Sequence, residues 1–192
     1  MFLIIFKLIR RVVTFLNNLK FILKLYFYRK VYNSRLHLGN KIHLHKDFCF
    51  TLDSSASSIS IGDNLVARNN FIIRSCNNGN IEIGTNVFFN SYCSINGMSK
   101  IIIGNNCQFG EGVRIYDHDH KYKAVNENIS KQGYTYGHVI IGNNCWISSN
   151  VIILKGVEIG DNVVVGAGCI LHKSVPSNTL VVNHQNLLYN SY

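Results

Sequence analysis

Aliphatic residues recur every six positions through the last third of the chain: Ile141, Ile147, Ile153, Ile159, Val165 and Leu171. Four residues after each stands a small or β-branched partner, namely Cys145, Val151, Val157, Val163, Cys169 and Val175. A period of six fits neither a helix nor a simple alternating strand. It predicts a wound sheet: each hexapeptide gives one short strand and a corner, three make a triangular turn, and successive turns stack by backbone pairing at roughly 4.8 Å. One turn is then eighteen residues, the separation of Ile-Gly-Asn-Asn at 141 and Ile-Gly-Asp-Asn at 159.

Earlier openings of the same kind begin at Leu38, Ile61, Ile83 and Ile103, which gives about six coils in all. Gaps of 23, 22 and 20 residues separate the first four, so those coils carry small corner insertions. The gap from Ile103 to Ile141 is 38, one turn plus an arm of about twenty residues. An unpatterned loop of that length inside a compact domain is more often functional than connective. The chain therefore divides into an N-terminal segment over 1–32, a β-helix over 33–180 with one inserted loop at about 117–138, and a tail over 181–192. A single proline, fifteen glycines and abundant Asn, Asp and Ser agree with many tight corners.

The chain is formally +9, and residues 1–32 hold seven Lys or Arg and no acid, so the imbalance is local. Lys7, Arg10, Arg11, Lys20 and Lys24 interrupt every apolar run short of the roughly eighteen residues of a membrane span. The segment reads as a basic amphipathic helix, suited to an anionic membrane surface or to packing on protein. With no basic residue ahead of the first apolar run and no small-residue cleavage site, a secretory signal is not expected; the chain is expected in the cytoplasm, with peripheral membrane contact through 1–32 as one option. No nucleic-acid-reading module is recognisable. Cys93, Cys107, Cys145 and Cys169 occupy the small inward slot of a hexapeptide and read as core, while Cys49 and Cys76 are not assigned.

The densest chemistry is Tyr116-Asp117-His118-Asp119-His120, where the regular coil gives way to the arm. Three readings stand on the residues alone. Asp117 and His118 form a general-base site; or His118, His120 and a third histidine such as His138 bind zinc; or the string is solvated loop.

The passage Ile141 to Pro176, which reads IGNNCWISSNVIILKGVEIGDNVVVGAGCILHKSVP, together with the D-H-x-H arm, resembles the left-handed parallel β-helix acyltransferases of the hexapeptide-repeat superfamily. Among them it is similar to galactoside, maltose and nodulation-factor acetyltransferases and to O-acetyltransferases of polysaccharide gene clusters. The resemblance spans about residues 38–180, and the left hand of the coil comes from it alone. It implies acetyl-CoA as co-substrate, a sugar hydroxyl as acceptor, no metal and a homotrimer with sites between neighbouring subunits. It makes a histidine at the start of the arm the catalytic base, a place that His118 fills with His120 as its rival, and it puts Asn90 in the acceptor pocket and Trp146, Ser149, Gly166, Ala167 and Lys173 along the acetyl-CoA groove; Asp117 is expected beside the base and His120 near the acceptor.

Two departures matter. Asp117 stands where the galactoside enzymes have glycine, and Met98 where they have a sugar-binding acid, so a galactoside acceptor is not implied. After Val175-Pro176-Ser177-Asn178 the tail diverges as well. The reaction expected is direct O-acetyl transfer in a ternary complex, in bacterial surface polysaccharide synthesis. N-acylation of an amino sugar, a zinc β-helix enzyme and a non-catalytic scaffold are the alternatives.

Overall fold

Asparagine supplies the corner that lets this chain wind. At one corner Asn64, Asn86, Asn106, Asn144, Asn162 and Asn178 all adopt left-handed backbone, with φ between 56° and 61°. Asparagine tolerates that region better than other side chains larger than glycine. Their amides also bond from coil to coil: Asn64 donates to Asn86 (2.8 Å), Asn86 to Asn106 (3.0 Å), Asn144 to Asn162 (2.8 Å) and Asn162 to Asn178 (3.0 Å). The same residues thus turn each coil and tie it to the next.

The computed structural model describes residues 2–184, and two units, residues 1–36 and 37–192, separate in it. In the first, Phe2–Tyr32 form one α-helix, followed by a 3-10 turn at Asn33–Arg35. The helix has no acid in its first turn and ends on Arg29 and Lys30, a placement that suits the negative end of the helix dipole. Among the described residues no helix is long and apolar enough to cross a membrane. Of the tail expected over 181–192, residues 185–192 lie outside the described residues.

The second unit is a left-handed parallel β-helix with three faces. The first face holds six strands, from Leu36–Leu38 to Glu158–Ile159; the second holds seven, from His43–Leu44 to Leu180–Val181; the third holds six, from Cys49–Leu52 to Ile170–Leu171. Partners in neighbouring coils lie 23, 22, 20, 38, 18 and finally 16 residues apart, so the spacing of the aliphatic residues is the spacing of the pairing. All the extra residues of the early coils, 53–57, 76–79 and 98–99, leave the wall at the corner between the third and first faces. The arm leaves from that corner too, between Arg114–Tyr116 and Val139–Ile141.

Inside, Ile59, Ile81, Ile101, Val139 and Val157 stack with Ile147, Ile153 and Val165, each essentially sealed from solvent. Burying one such side chain stabilises the fold by about 1.5–3 kcal/mol. Phe71, Phe89 and Phe109 fill the wider early coils, their ring centroids 4.7 and 4.4 Å apart. Cys93, Cys107, Cys145 and Cys169 are buried in the small slots, and burial pushes the Cys93 thiol up to about 11. The neighbouring Cys145 and then burial raise Cys107, whose thiol donates to the Gly142 carbonyl at 3.1 Å. Cys49 and Cys76 are half-buried.

The arm, expected as an unpatterned loop, carries structure of its own. His118–His120 pair antiparallel with Tyr134–Tyr136, in the register His118 to Tyr136 and His120 to Tyr134. Alternation explains why: the aromatic and imidazole side chains of 118, 120, 134 and 136 share one side of the ribbon, with Asp119 and Thr135 on the other.

Candidate functional site

Asp117 stands at the start of the arm and is completely buried. A buried carboxylate must be saturated with donors, and this one is. Its Oδ1 accepts from the Met98 main-chain N–H at 2.8 Å, and its Oδ2 from the Ser99 N–H at 2.7 Å, so it is clamped to the corner of the coil before. Oδ1 also lies 3.0 Å from His118 Nδ1. With a carboxylate as acceptor, Nδ1 carries the hydrogen, and the lone pair of the neutral ring sits on Nε2. Such a histidine can take a proton at Nε2 while its orientation is fixed from behind.

The ring of His118 keeps 16% of its side-chain surface open. Tyr134 stands edge-on to it at 5.6 Å and Tyr116 at 6.4 Å, so two aromatic rings flank the imidazole. Across the ribbon, the Tyr136 hydroxyl accepts from Asn77 Nδ2 at 2.7 Å, fastening the second hairpin strand to a corner two coils earlier. The Gly137 N–H bonds the Asp117 carbonyl at 2.9 Å and closes the base of the arm. His120 is exposed, its ring 4.5 Å from that of Tyr134. His138 is exposed at the far end of the arm, and among the described residues no three His, Cys, Asp or Glu side chains are grouped to hold a metal.

The other residues singled out from sequence lie elsewhere on the prism. Asn90, Ser149, Gly166 and Ala167 fall at the corner between the second and third faces, stacked coil on coil. Asn90 Oδ1 accepts from its neighbour Ser91 N–H at 2.8 Å and from Arg68 at 3.3 Å. Ser149 and Ala167 have main-chain N–H groups with no partner among the described residues, an open donor in each of two successive coils. Trp146 points outward from the second face beside Gln108 and Val164, 55% exposed. Lys173 lies at the third corner, two coils below the arm, and is exposed.

Within one chain, then, the sites do not converge. From Ser149 to the third corner at Lys155 the chain crosses one hexapeptide, roughly 15–20 Å of extended backbone. His118 and the open donors of Ser149 and Ala167 therefore sit on different edges of the prism. Sequence reasoning also missed the Met98 and Ser99 main-chain N–H groups that clamp Asp117, and Asn77, which reaches Tyr136 from 59 residues away.

Comparison with known proteins fits this architecture. Residues 138–173 match the family model described as bacterial transferase hexapeptide (six repeats). WbbJ of Escherichia coli K12, provisionally named a lipopolysaccharide biosynthesis O-acetyl transferase, is 31% identical over 131 residues, covering 65% of this chain and 67% of that protein. This chain belongs to the bacterial hexapeptide transferase family. The galactoside O-acetyltransferase of Escherichia coli K12 is 39% identical over 102 residues, covering 53% of this chain and 49% of that one. The hexapeptide chain thus spans about half the length of such curated relatives. Among solved structures, a maltose O-acetyltransferase from Clostridium difficile 630 superposes with a TM-score of 0.51 at 28% identity, over 81% of this chain and 69% of that one. A Vibrio cholerae hexapeptide-repeat acetyltransferase complexed with acetyl coenzyme A has a TM-score of 0.54 at 23% identity, over 80% and 70%, and shares the fold.

Proposed function

We propose that this protein transfers an acetyl group from acetyl-CoA to a sugar hydroxyl in the synthesis of a bacterial surface polysaccharide, with His118 as general base. The observation that carries the reading is the 3.0 Å contact of His118 Nδ1 with a buried, doubly clamped Asp117. That arrangement fixes the tautomer a base needs. The names of WbbJ and the galactoside and maltose enzymes support the choice of acetyl donor and sugar acceptor.

In this mechanism His118 Nε2 accepts the hydroxyl proton as the sugar oxygen attacks the thioester carbonyl carbon. The tetrahedral intermediate collapses, the carbon–sulfur bond breaks, and the imidazolium returns the proton to the departing CoA thiolate. A positioned base contributes on the order of 10²–10⁴-fold. The open N–H groups of Ser149 and Ala167 are the donors for the pantetheine arm and thioester oxygen, and stabilising the oxyanion is commonly the larger effect.

Because base and donors lie on different edges, the working site takes His118 from one chain and Ser149 and Ala167 from a neighbour in a homotrimer. The outward stripe of Phe88, Trp146, Val164 and Leu180 on the second face offers apolar surface for that association. The N-terminal helix, with seven cations and no acid, places the enzyme on the inner face of the membrane by attraction to anionic lipid.

The reading is tested by incubating the protein with acetyl-CoA and a panel of sugars while following free thiol. Acceptor-dependent thiol release that His118→Ala abolishes, with CoA binding retained, is expected. Release that survives the substitution overturns the assignment of the base.

A further inference from the structure

Beside the arm lies a half-open pocket of about 550 Å³ that the mechanism above does not use. That volume falls in the range of small-molecule sites. Its walls bring Lys121, Lys123 and Lys155 together with Tyr122, Glu127 and Gln132. Lys155 comes from the coil below and reaches Asp119 at 3.6 Å, whereas Lys121 and Lys123 form no ion pair among the described residues. Two unpaired ammonium groups on one rim favour an anion.

The wall is built in advance of any ligand. Gln132 accepts from the Ala124 N–H at 3.1 Å and donates to the carbonyls of Ala124 and Glu127 at 3.0 and 2.8 Å, so one side chain braces the returning loop. Asn128 caps the following 3-10 turn at Ser130. The Glu127 carboxylate and the Tyr122 hydroxyl on the wall, with the Thr135 hydroxyl that donates to the Asp119 carbonyl at 3.4 Å and can still accept, suit sugar hydroxyls, and the exposed Tyr122 ring is a stacking face.

We infer that this pocket is a subsite for a negatively charged sugar, bearing a carboxylate or a phosphate, that neighbours the sugar acetylated at His118. The inference rests on the acceptor reading above. His120 lines the pocket and His118 does not, while Tyr134 touches both rings, at 4.5 and 5.6 Å. Asp119 and Thr135, on the other side of the ribbon from His118, line the pocket and Tyr134 does not, so a ligand there is separated from the base by the hairpin and is not itself the reacting sugar. The acceptor is accordingly longer than a single sugar and carries its charge beside the acetylated unit.

Ligand-detected NMR with glucose, glucuronate and glucose 6-phosphate tests this on the full chain, without reliance on turnover. At least fivefold stronger binding of one charged probe than of glucose is expected, the better probe telling carboxylate from phosphate. The preference should vanish in Lys121→Ala/Lys123→Ala, persist in His118→Ala, and leave CoA affinity unchanged. Equal binding of all three probes, no binding of any, or a preference that survives the double substitution overturns the subsite. A tenfold loss of CoA affinity in the double variant assigns the lysines to CoA phosphates and overturns it too. If the wild type releases no thiol with any acceptor yet keeps the charge preference, the transfer reading fails while the pocket stands.

Discussion

Asp117 holds more of this site together than its neighbour in sequence suggests. One carboxylate fixes the imidazole, anchors the start of the arm and pins the corner at Met98 and Ser99. Asp117→Asn keeps the shape but sets an NH₂ against groups that are all donors. A buried polar group left unsatisfied costs about 1–3 kcal/mol, which a lowered urea midpoint would register. Transfer should fall by on the order of 10²–10⁴-fold, since the histidine loses the partner that sets its tautomer. Normal stability and turnover in the Asp117→Asn variant would contradict this role. The adjacency of Asp117 and His118 was readable in the sequence, as was the chemistry it permits. The clamp was not, because Met98 and Ser99 lie 19 and 18 residues away and offer only main-chain N–H groups that no motif records.

At the scale of elements, the coils were legible and the arm was not. Ile141, Ile147 and their successors mark each strand because every buried position repeats with the pairing offset. The arm's strands are three residues each, too short for alternation to stand out. The Asn77 to Tyr136 bond joins residues 59 apart, beyond any local pattern. The asparagine corner makes its own prediction. Asn162→Ala forces a side chain with no polar group into left-handed backbone, at about 1–2 kcal/mol, and removes two ladder bonds. Asn162→Gly removes the bonds alone, so it should destabilise less; the reverse order in thermal melts would contradict the account. Gly110 illustrates close approach at the neighbouring corner: a Cβ there would lie 2.7 Å from the Ser148 carbonyl carbon. For the N-terminal helix, which exposes Ile22, Leu23, Tyr26 and Phe27 beside its cations, the full chain should sediment with anionic but not zwitterionic vesicles and be released by salt. Equal binding to both, insensitive to salt, would contradict a charge-led attachment.

For the whole molecule, the position of each residue within its coil decides what it can meet. His118 leaves the prism at the third corner, Asn90, Ser149 and Ala167 at the second, and the third face stands between them. The sequence contains both halves of the proposed site, yet their separation appears only when the coils are counted around the triangle. In the proposed homotrimer, association of identical prisms side by side would bring the two edges together. Mixing two inactive variants tests this most directly: His118→Ala, which lacks the base, and Ala167→Trp, which fills the donor corner. Co-refolded at equal ratio, they should regain about one quarter of wild-type thiol release, because random assortment leaves that share of interfaces intact. No recovery, in mixtures shown to have exchanged subunits, would mean that His118 does not act on a thioester held by a neighbouring chain.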